Sequence, residues 1–485
     1  MAKKKSIAKN YIYNLIYQML VIVLPLITTP YLSRVLGANG IGVYSYTISI
    51  TTYFILFGSL GIAMYGQREI AYIRDNKELT SKNFWEIVLL RLFTMSISLV
   101  GFYLCFAIGN QYQVYYRILI LEILANVIDI SWFFQGLEEF KKTVSRNIIV
   151  KIISIICIFT FVNNPNDLYK YILIFTLSNF IGNITLWFYV PKYISKIQFK
   201  NLNLVKHIKP TLSLFIPQIA IQIYTVLDKT MIGIITNDMN QVGNYEQSQK
   251  IIKMSLTIVT ALGTVLSPRI ANTIAKNKHE EVKVKLKKSC RFVWMVGIPI
   301  MFGIMAISNT LVYWFLGQGY EQSSVLLRIG ALLVLAIGLN SVSGMQYLIP
   351  AKKQRIYTKS VVIGAIFNFT LNLILIKRFK AEGAIISSVL AEFLILFIQL
   401  YYIRKDFDIS IVYKNSAKYI ISGVIMFCVT YFIGEIMSRT IVTTIIQVCV
   451  GTIIYGISLV VLKDEFTHSI IFNMLPKLKK GNKKI

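Results

Sequence analysis

Long apolar runs separated by short polar connections recur from one end of the chain to the other. Fourteen stand out, at 10–32, 41–65, 84–108, 115–135, 147–163, 169–190, 211–235, 243–268, 291–315, 324–347, 357–376, 381–402, 417–437 and 440–462. Most hold about 20 residues, the length a helix needs to cross the hydrocarbon of a bilayer. Helices satisfy their own backbone hydrogen bonds, as lipid demands, and the alternating segments of an outer-membrane barrel are absent. The pattern predicts an all-α polytopic membrane protein with fourteen transmembrane helices. The short run 147–163 and the polar opening of 243–268 carry the least signal.

The connections hold a second pattern. Of 51 lysines and arginines, 38 fall in one alternate set of connections and eight in the opposite set. The other five (Arg91, Lys151, Lys229, Lys250 and Lys253) lie inside the runs. Cytoplasmic connections are enriched in Lys and Arg, so this asymmetry predicts cytoplasmic N- and C-termini and an even number of spans. Only 15% of residues are charged, against about 25% in soluble domains. The net charge of +29 therefore reads as an orientation signal and an attraction to anionic lipid heads, with no nucleic-acid partner. The basic start followed by the run 10–32 is expected to be a retained span, because the run is too long for a signal peptide and lacks a small-x-small cleavage site. No connection can hold a domain. The longest, around 269–290, contains "HEEVKVKLKKS", expected to form a short separate helix packed on, or lying at, the cytoplasmic face. Function must then reside in the helix bundle.

Catalytic and metal chemistry find little support. The five cysteines stand singly in or beside apolar runs, with no C-x-x-C, and read as small buried hydrophobes. The three histidines lie far apart in polar connections with no metal-ligand spacing. No enzyme activity, metal or cofactor is expected.

A short phrase is written twice. Asn39, Gly42 and Tyr44 recur as Asn240, Gly243 and Tyr245, each pair 201 residues apart, and the same shift carries Arg68 onto Arg269. The copies join spans one and two and spans seven and eight, so six spans separate equivalent points. An even separation implies two six-helix halves of like orientation, a parallel repeat. Glycine would supply a tight turn or a close approach, Asn a helix cap, and Tyr an interfacial anchor.

Ionisable groups inside spans cost about 2.5–3.5 kcal/mol each on insertion scales and are functional candidates by default. Asp228 and Lys229 precede the turn near 239–240 by about as many residues as Lys250 follows it, and Lys253 shares a helix face with Lys250. Their counterparts in the first half, Ser49 and Thr52, are uncharged. A cationic cluster of this kind suits phosphate or diphosphate. The competing reading is a structural Asp228–lysine pair with Lys250 snorkelling to the interface. Arg34, Arg91, Arg117 and Lys151 are further cationic candidates, for which orientation, packing or snorkelling compete. Glu122, Asp129 and Glu392 could bind a coupling cation, relay protons or partner the basic residues. The 63 aromatic residues are mostly expected to face lipid or the interface, some to stack on sugar rings.

The stretches "TPYLSRVLGANGIGVYSYTISI", "YTVLDKTMIG", "VGNYEQSQKI" and "ALGTVLSPRIANT" together resemble the polysaccharide flippases, the Wzx-like lipid-linked oligosaccharide translocases of the multidrug/oligosaccharidyl-lipid/polysaccharide exporter superfamily. The resemblance extends over most of the chain in span count and motif order, and is most specific in spans one, two, seven and eight. It implies two six-helix lobes (1–195 and 196–405) around a central cavity, two trailing helices and a basic tail (406–485). It also implies movement of an undecaprenyl-diphosphate-linked oligosaccharide from the inner to the outer leaflet of the bacterial cytoplasmic membrane, for O-antigen, capsule or exopolysaccharide assembly. A cationic cavity role carries over onto Lys229, Lys250 and Lys253, with glycosyltransferases and a polymerase as expected partners. Related lipid II flippases have arginines in the first span. Here the run 10–32 has none, which points away from a peptidoglycan precursor. Two other functions compete: a multidrug-cation antiporter of the same fold, disfavoured by lysines in the cavity, and a membrane polysaccharide polymerase or ligase, disfavoured by the lack of a large external loop. A non-transporting scaffold is a third.

Overall fold

The computed structural model describes residues 7–464 apart from 196, 199, 201 and 415. The basic segment 477–484, His468 and the first lysines lie outside the described residues. Every regular element among the described residues is helical. Among the described residues, eleven helices are long and apolar enough to cross a membrane. The chain divides into two compact units, one ending at Gly243 and the other starting at Asn244.

The first unit contains α1 (Ile7–Ser59), α2 (Ile62–Ile73), α3 (Lys77–Phe102), α4 (Gln113–Val127), α5 (Ser131–Gly136), α6 (Phe140–Phe161), α7 (Leu168–Trp187), α8 (Val205–Thr236) and the first turn of α9 (Met239–Ala275). The expected runs 10–32 and 41–65 follow one another in α1 with a break at Gly37, whose φ of 68° and ψ of 175° are available to glycine at little cost. A second left-handed turn at Leu60 and Gly61 separates the short α2. The run 115–135 is also split. Asp129 accepts the Ser131 N–H at 2.9 Å, which ends α4 and starts α5. α2 and α5 pack closely, and a β-carbon on Gly66 would lie 2.4 Å from the Trp132 ring. Ile62, Phe84, Trp132 and Phe133 form the fully buried centre of this region.

The second unit is organised around α10 (His279–Leu311), which contacts α11 (Glu321–Gly330), α12 (Leu332–Asn340), α15 (Ser416–Ile436) and α16 (Ile441–Val461). α13 (Gln354–Ile403) packs on α11 and α12 and holds two expected runs, broken at Lys380 with φ 51°. The short α14 (Ser410–Tyr413) also touches α10. The last two helices are fixed to α10 and to the turn Val312–Leu316 that follows it by direct contacts. Gly423 seats against Ile298 and Phe302, Trp314 Nε1 donates to Thr444 Oγ1 at 2.7 Å, and the Tyr455 hydroxyl donates to the Met295 carbonyl at 3.0 Å.

One expectation is corrected here. "HEEVKVKLKKS" is not a separate surface helix but the start of α10 itself. At about 1.5 Å per residue the 33 residues of α10 span roughly 50 Å, against a hydrocarbon thickness of about 30 Å. The amphipathic first turns therefore extend the span beyond the apolar layer. Nothing breaks the helix between Lys288 and Arg291, and Glu280 and Glu281 suit its N-terminal end.

Polarity is distributed as lipid requires. Asn368, Asn372, Gln399 and Gln447 are completely buried, whereas Phe93, Leu104, Phe397 and Ile436 are all more than 60% exposed. A protein surrounded by water would bury the second group and expose the first.

Candidate functional site

The repeated phrase meets itself. A β-carbon on Gly42 would lie 1.8 Å from the Met239 carbonyl oxygen, and one on Gly243 would lie 2.0 Å from the Ala38 carbonyl oxygen. Met239 is Ala38 shifted by the same 201 residues that relate Gly42 to Gly243. The two contacts are thus one contact made in both directions, the signature of a local two-fold relation. The second half of α1 and the first turn of α9 touch backbone to backbone because neither glycine carries a side chain. The close approach expected of the glycines is present. The tight turn is made elsewhere, by Gly37 in the first copy and by Asn237 (φ 51°) in the second. The expected asparagine cap is corrected as well: at the second copy Asp238 caps α9, accepting the Asn240 N–H at 2.9 Å. Both tyrosines pack against other side chains. Tyr44 sits edge-on to Tyr171 at 4.9 Å. Tyr245 is 2% exposed and accepts from Gln249 at 3.0 Å. Asn39 is exposed.

Below this contact α8 runs along α1. Gly233 admits the Tyr46 ring, and the Tyr53 and Thr230 hydroxyls are 3.1 Å apart. Tyr53 is eleven residues past Gly42, about 16 Å along the helix. Asp228, two residues from Thr230, is buried, and Lys229 beside it is partly buried. On α9, Lys250 is partly buried with its Nζ 3.8 Å from Glu246 Oε1, an acid one turn earlier that a reading of the lysines alone overlooks. Lys253 is exposed.

The remaining candidates are dispersed. Arg91 is buried and its Nη2 lies 3.9 Å from Asp129 Oδ2, so one cationic and one acidic candidate are partners inside the first unit. Glu122 accepts from the Asn179 amide at 3.0 and 3.2 Å. Glu392, 8% exposed, accepts from Asn340 at 2.6 Å. Arg117 Nε donates to the Ala107 carbonyl at 3.1 Å. Arg34 is exposed and Lys151 half-buried. Arg68 is exposed 5.9 Å from the Tyr65 ring. Arg269 lines a surface cavity with lysines of the α9–α10 turn.

One buried cluster was missed by sequence reasoning. His207 Nε2 lies 2.9 Å from Glu86 Oε2, and its Nδ1 lies 2.7 Å from the Tyr65 hydroxyl. Lys206 Nζ reaches Glu86 at 2.6 Å, and the Asn203 N–H donates to Glu86 Oε1 at 2.8 Å. His207 and Glu86 are both fully buried. The cluster clamps the entry to α8 onto α2 and α3. The available signal was Glu86 itself, an acid just inside the run 84–108. Its partners, 117–121 residues away in sequence, left no local trace. Among the described residues no group of acids, histidines and cysteines is arranged to hold a metal.

Comparison with known proteins agrees with this architecture. The model of the family described as "Polysaccharide biosynthesis protein" matches residues 7–274, and that of the family described as "MatE" matches residues 213–374. A protein of Escherichia coli (strain K12) provisionally named an O-antigen transporter is 25% identical over 408 residues, covering 83% of this chain and 98% of its own. An inward-closed structure of the lipid II flippase MurJ superposes with a TM-score of 0.70 at 15% identity, covering 95% of this chain and 100% of that one. An inward-facing multidrug resistance MATE transporter gives a TM-score of 0.61 at 12% identity, over 81% of this chain and 99% of that one. The two structural likenesses establish the fold.

Proposed function

Because the chain belongs to the polysaccharide biosynthesis protein family, we propose that it is a flippase for lipid-linked glycans. Its substrate would be an undecaprenyl-diphosphate-linked oligosaccharide, moved from the inner to the outer leaflet of a bacterial cytoplasmic membrane. The observation that carries this reading is the match along nearly the full length of a relative named an O-antigen transporter. In the proposed cycle the glycan head enters a cationic cavity from the cytoplasmic side while the polyprenyl tail stays in lipid. Lys229, Lys250 and Lys253 hold the diphosphate by charge-assisted hydrogen bonds. Rocking of two like-oriented halves then opens the cavity outward. An inside-negative potential favours outward movement of an anion by about 2.3 kcal/mol per charge per 100 mV. The test is transport by the purified protein in liposomes under an imposed potential. Wild type should translocate a polyprenyl-diphosphate glycan faster when the interior is negative. Lys250→Ala with Lys253→Ala should slow it at equal protein content. Unchanged transport by the double variant removes the site assignment.

A second reading, cation antiport, draws on the match of residues 213–374 to the MatE model. Uptake of a cationic dye, blocked by neither lysine variant, would favour it.

A further inference from the structure

The hairpin that ends α9 and begins α10 forms an open surface cavity of about 510 Å³, within the range of small-ligand sites. Four cations line it: Arg269 near the end of α9, Lys276 and Lys278 in the turn, and Lys285 on α10. Asn272 adds an amide, while the Thr273 hydroxyl is used within the hairpin, donating to the Arg269 carbonyl at 2.8 Å and accepting from Lys285 Nζ. The one acid, Glu281, is held by Lys278 at 2.5 Å. Arg269 and Lys276 are exposed at the cavity.

The fold does not require this charge. The 201-residue shift places Arg68, Asp75, Lys77 and Phe84 at the corresponding positions of the first half, where α2, a short turn and α3 form the same kind of hairpin. There one of the four cations is an acid and another a fully buried aromatic ring. Clustered like charges repel, and a bound anion offsets that repulsion. Ammonium, guanidinium and amide donors converging on one concavity match the oxygens of a phosphate. The charge asymmetry of the connections puts this hairpin at the cytoplasmic surface, level with lipid heads.

We propose that this cavity binds the phosphate-bearing head group of a membrane lipid in the cytoplasmic leaflet. The proposal rests on the orientation used for the flippase reading, and would give the polyprenyl-diphosphate substrate a reception site before it enters the bundle. An anionic phospholipid carries the same chemistry.

The full chain in nanodiscs of neutral phosphatidylcholine separates the sources. Retention of polyprenyl diphosphate, of phosphatidylglycerol and of soluble inorganic pyrophosphate would each be measured by native mass spectrometry. Lys276→Asp, and the pair Lys276→Asp with Lys285→Ala, should weaken lipid binding roughly tenfold or more. Lys283→Ala, paired with Glu280 outside the cavity, should leave it unchanged. Loss for polyprenyl diphosphate alone supports the proposal and assigns the site to the glycan carrier. Loss for both lipids supports it and assigns the site to anionic lipid generally. Unchanged lipid binding in both variants overturns it, as does pyrophosphate binding that is as tight as lipid binding and is lost in the same variants, which would make this a soluble-anion site. Because binding is read without transport, a wild type that binds but fails to flip sinks only the flippase reading. A wild type that flips and binds independently of Lys276 sinks only this proposal.

Discussion

Gly42→Ala tests whether the meeting of the two copies of the phrase holds the second half of α1 to the first turn of α9. The new methyl carbon would lie 1.8 Å from the Met239 carbonyl oxygen. Real β-carbons essentially never come within 3.0 Å of another heavy atom, so the backbones must part by at least 1.2 Å. The obstructing atom is a main-chain oxygen in the first turn of a 37-residue helix, so no side chain can rotate away. Overpacking of this sort costs about 1–3 kcal/mol. Gly303→Ala is the control, because a β-carbon there meets nothing within 4 Å. In a helix interior that change should be neutral or stabilise by about 0.5–1 kcal/mol. Thermal unfolding in detergent would compare Gly42→Ala, Gly243→Ala and both together. Each single variant should melt below wild type and Gly303→Ala at or above it. One outward shift relieves both clashes, so the double variant should lose less than the two singles combined. A Gly42→Ala protein that melts like Gly303→Ala, or strict additivity of the pair, would refute the reciprocal contact.

Three further outcomes follow from named contacts. His207→Leu removes a partner from buried Glu86 and Tyr65 and should cost about 1–3 kcal/mol in the same unfolding assay, whereas Lys209→Ala next to it should cost little. Arg91→Met leaves Asp129 without its guanidinium neighbour and should destabilise. Adding Asp129→Asn should restore part of the loss, and a double variant no better than the single would deny the pairing. Tyr455→Phe deletes the hydroxyl bond to the Met295 carbonyl and should cost about 1 kcal/mol, read as earlier cleavage between α10 and α16 in limited proteolysis of the heated protein.

The helical membrane architecture was legible in hydropathy because span length and lipid chemistry are both local constraints. The repeat was legible too, since Gly42 and Gly243 keep their spacing in plain sight. Their reciprocal contact was not, because it joins Ala38 to a residue 201 positions on and depends on how α1 packs against the α8–α9 turn. "HEEVKVKLKKS" misled for a related reason: an amphipathic pattern specifies a helix but not whether it continues into the apolar run behind it. The Tyr65–His207–Glu86 cluster stayed hidden because its members come from three separate segments. Of the charged candidates, Arg91 and Asp129 were each marked singly, and only tertiary packing makes them neighbours. Glu246, one turn before Lys250, was readable from spacing alone; attention to cations passed over it.

The flippase reading stands or falls on whether the protein carries a glycan head across lipid. Proteoliposomes loaded with a polyprenyl-diphosphate sugar bearing a dithionite-quenchable fluorophore measure this directly. With the protein present, quenching should proceed beyond the outer-leaflet share as inner-leaflet lipid is brought out. Quenching that stalls at the level of protein-free vesicles, with the protein folded and correctly inserted, would contradict the account.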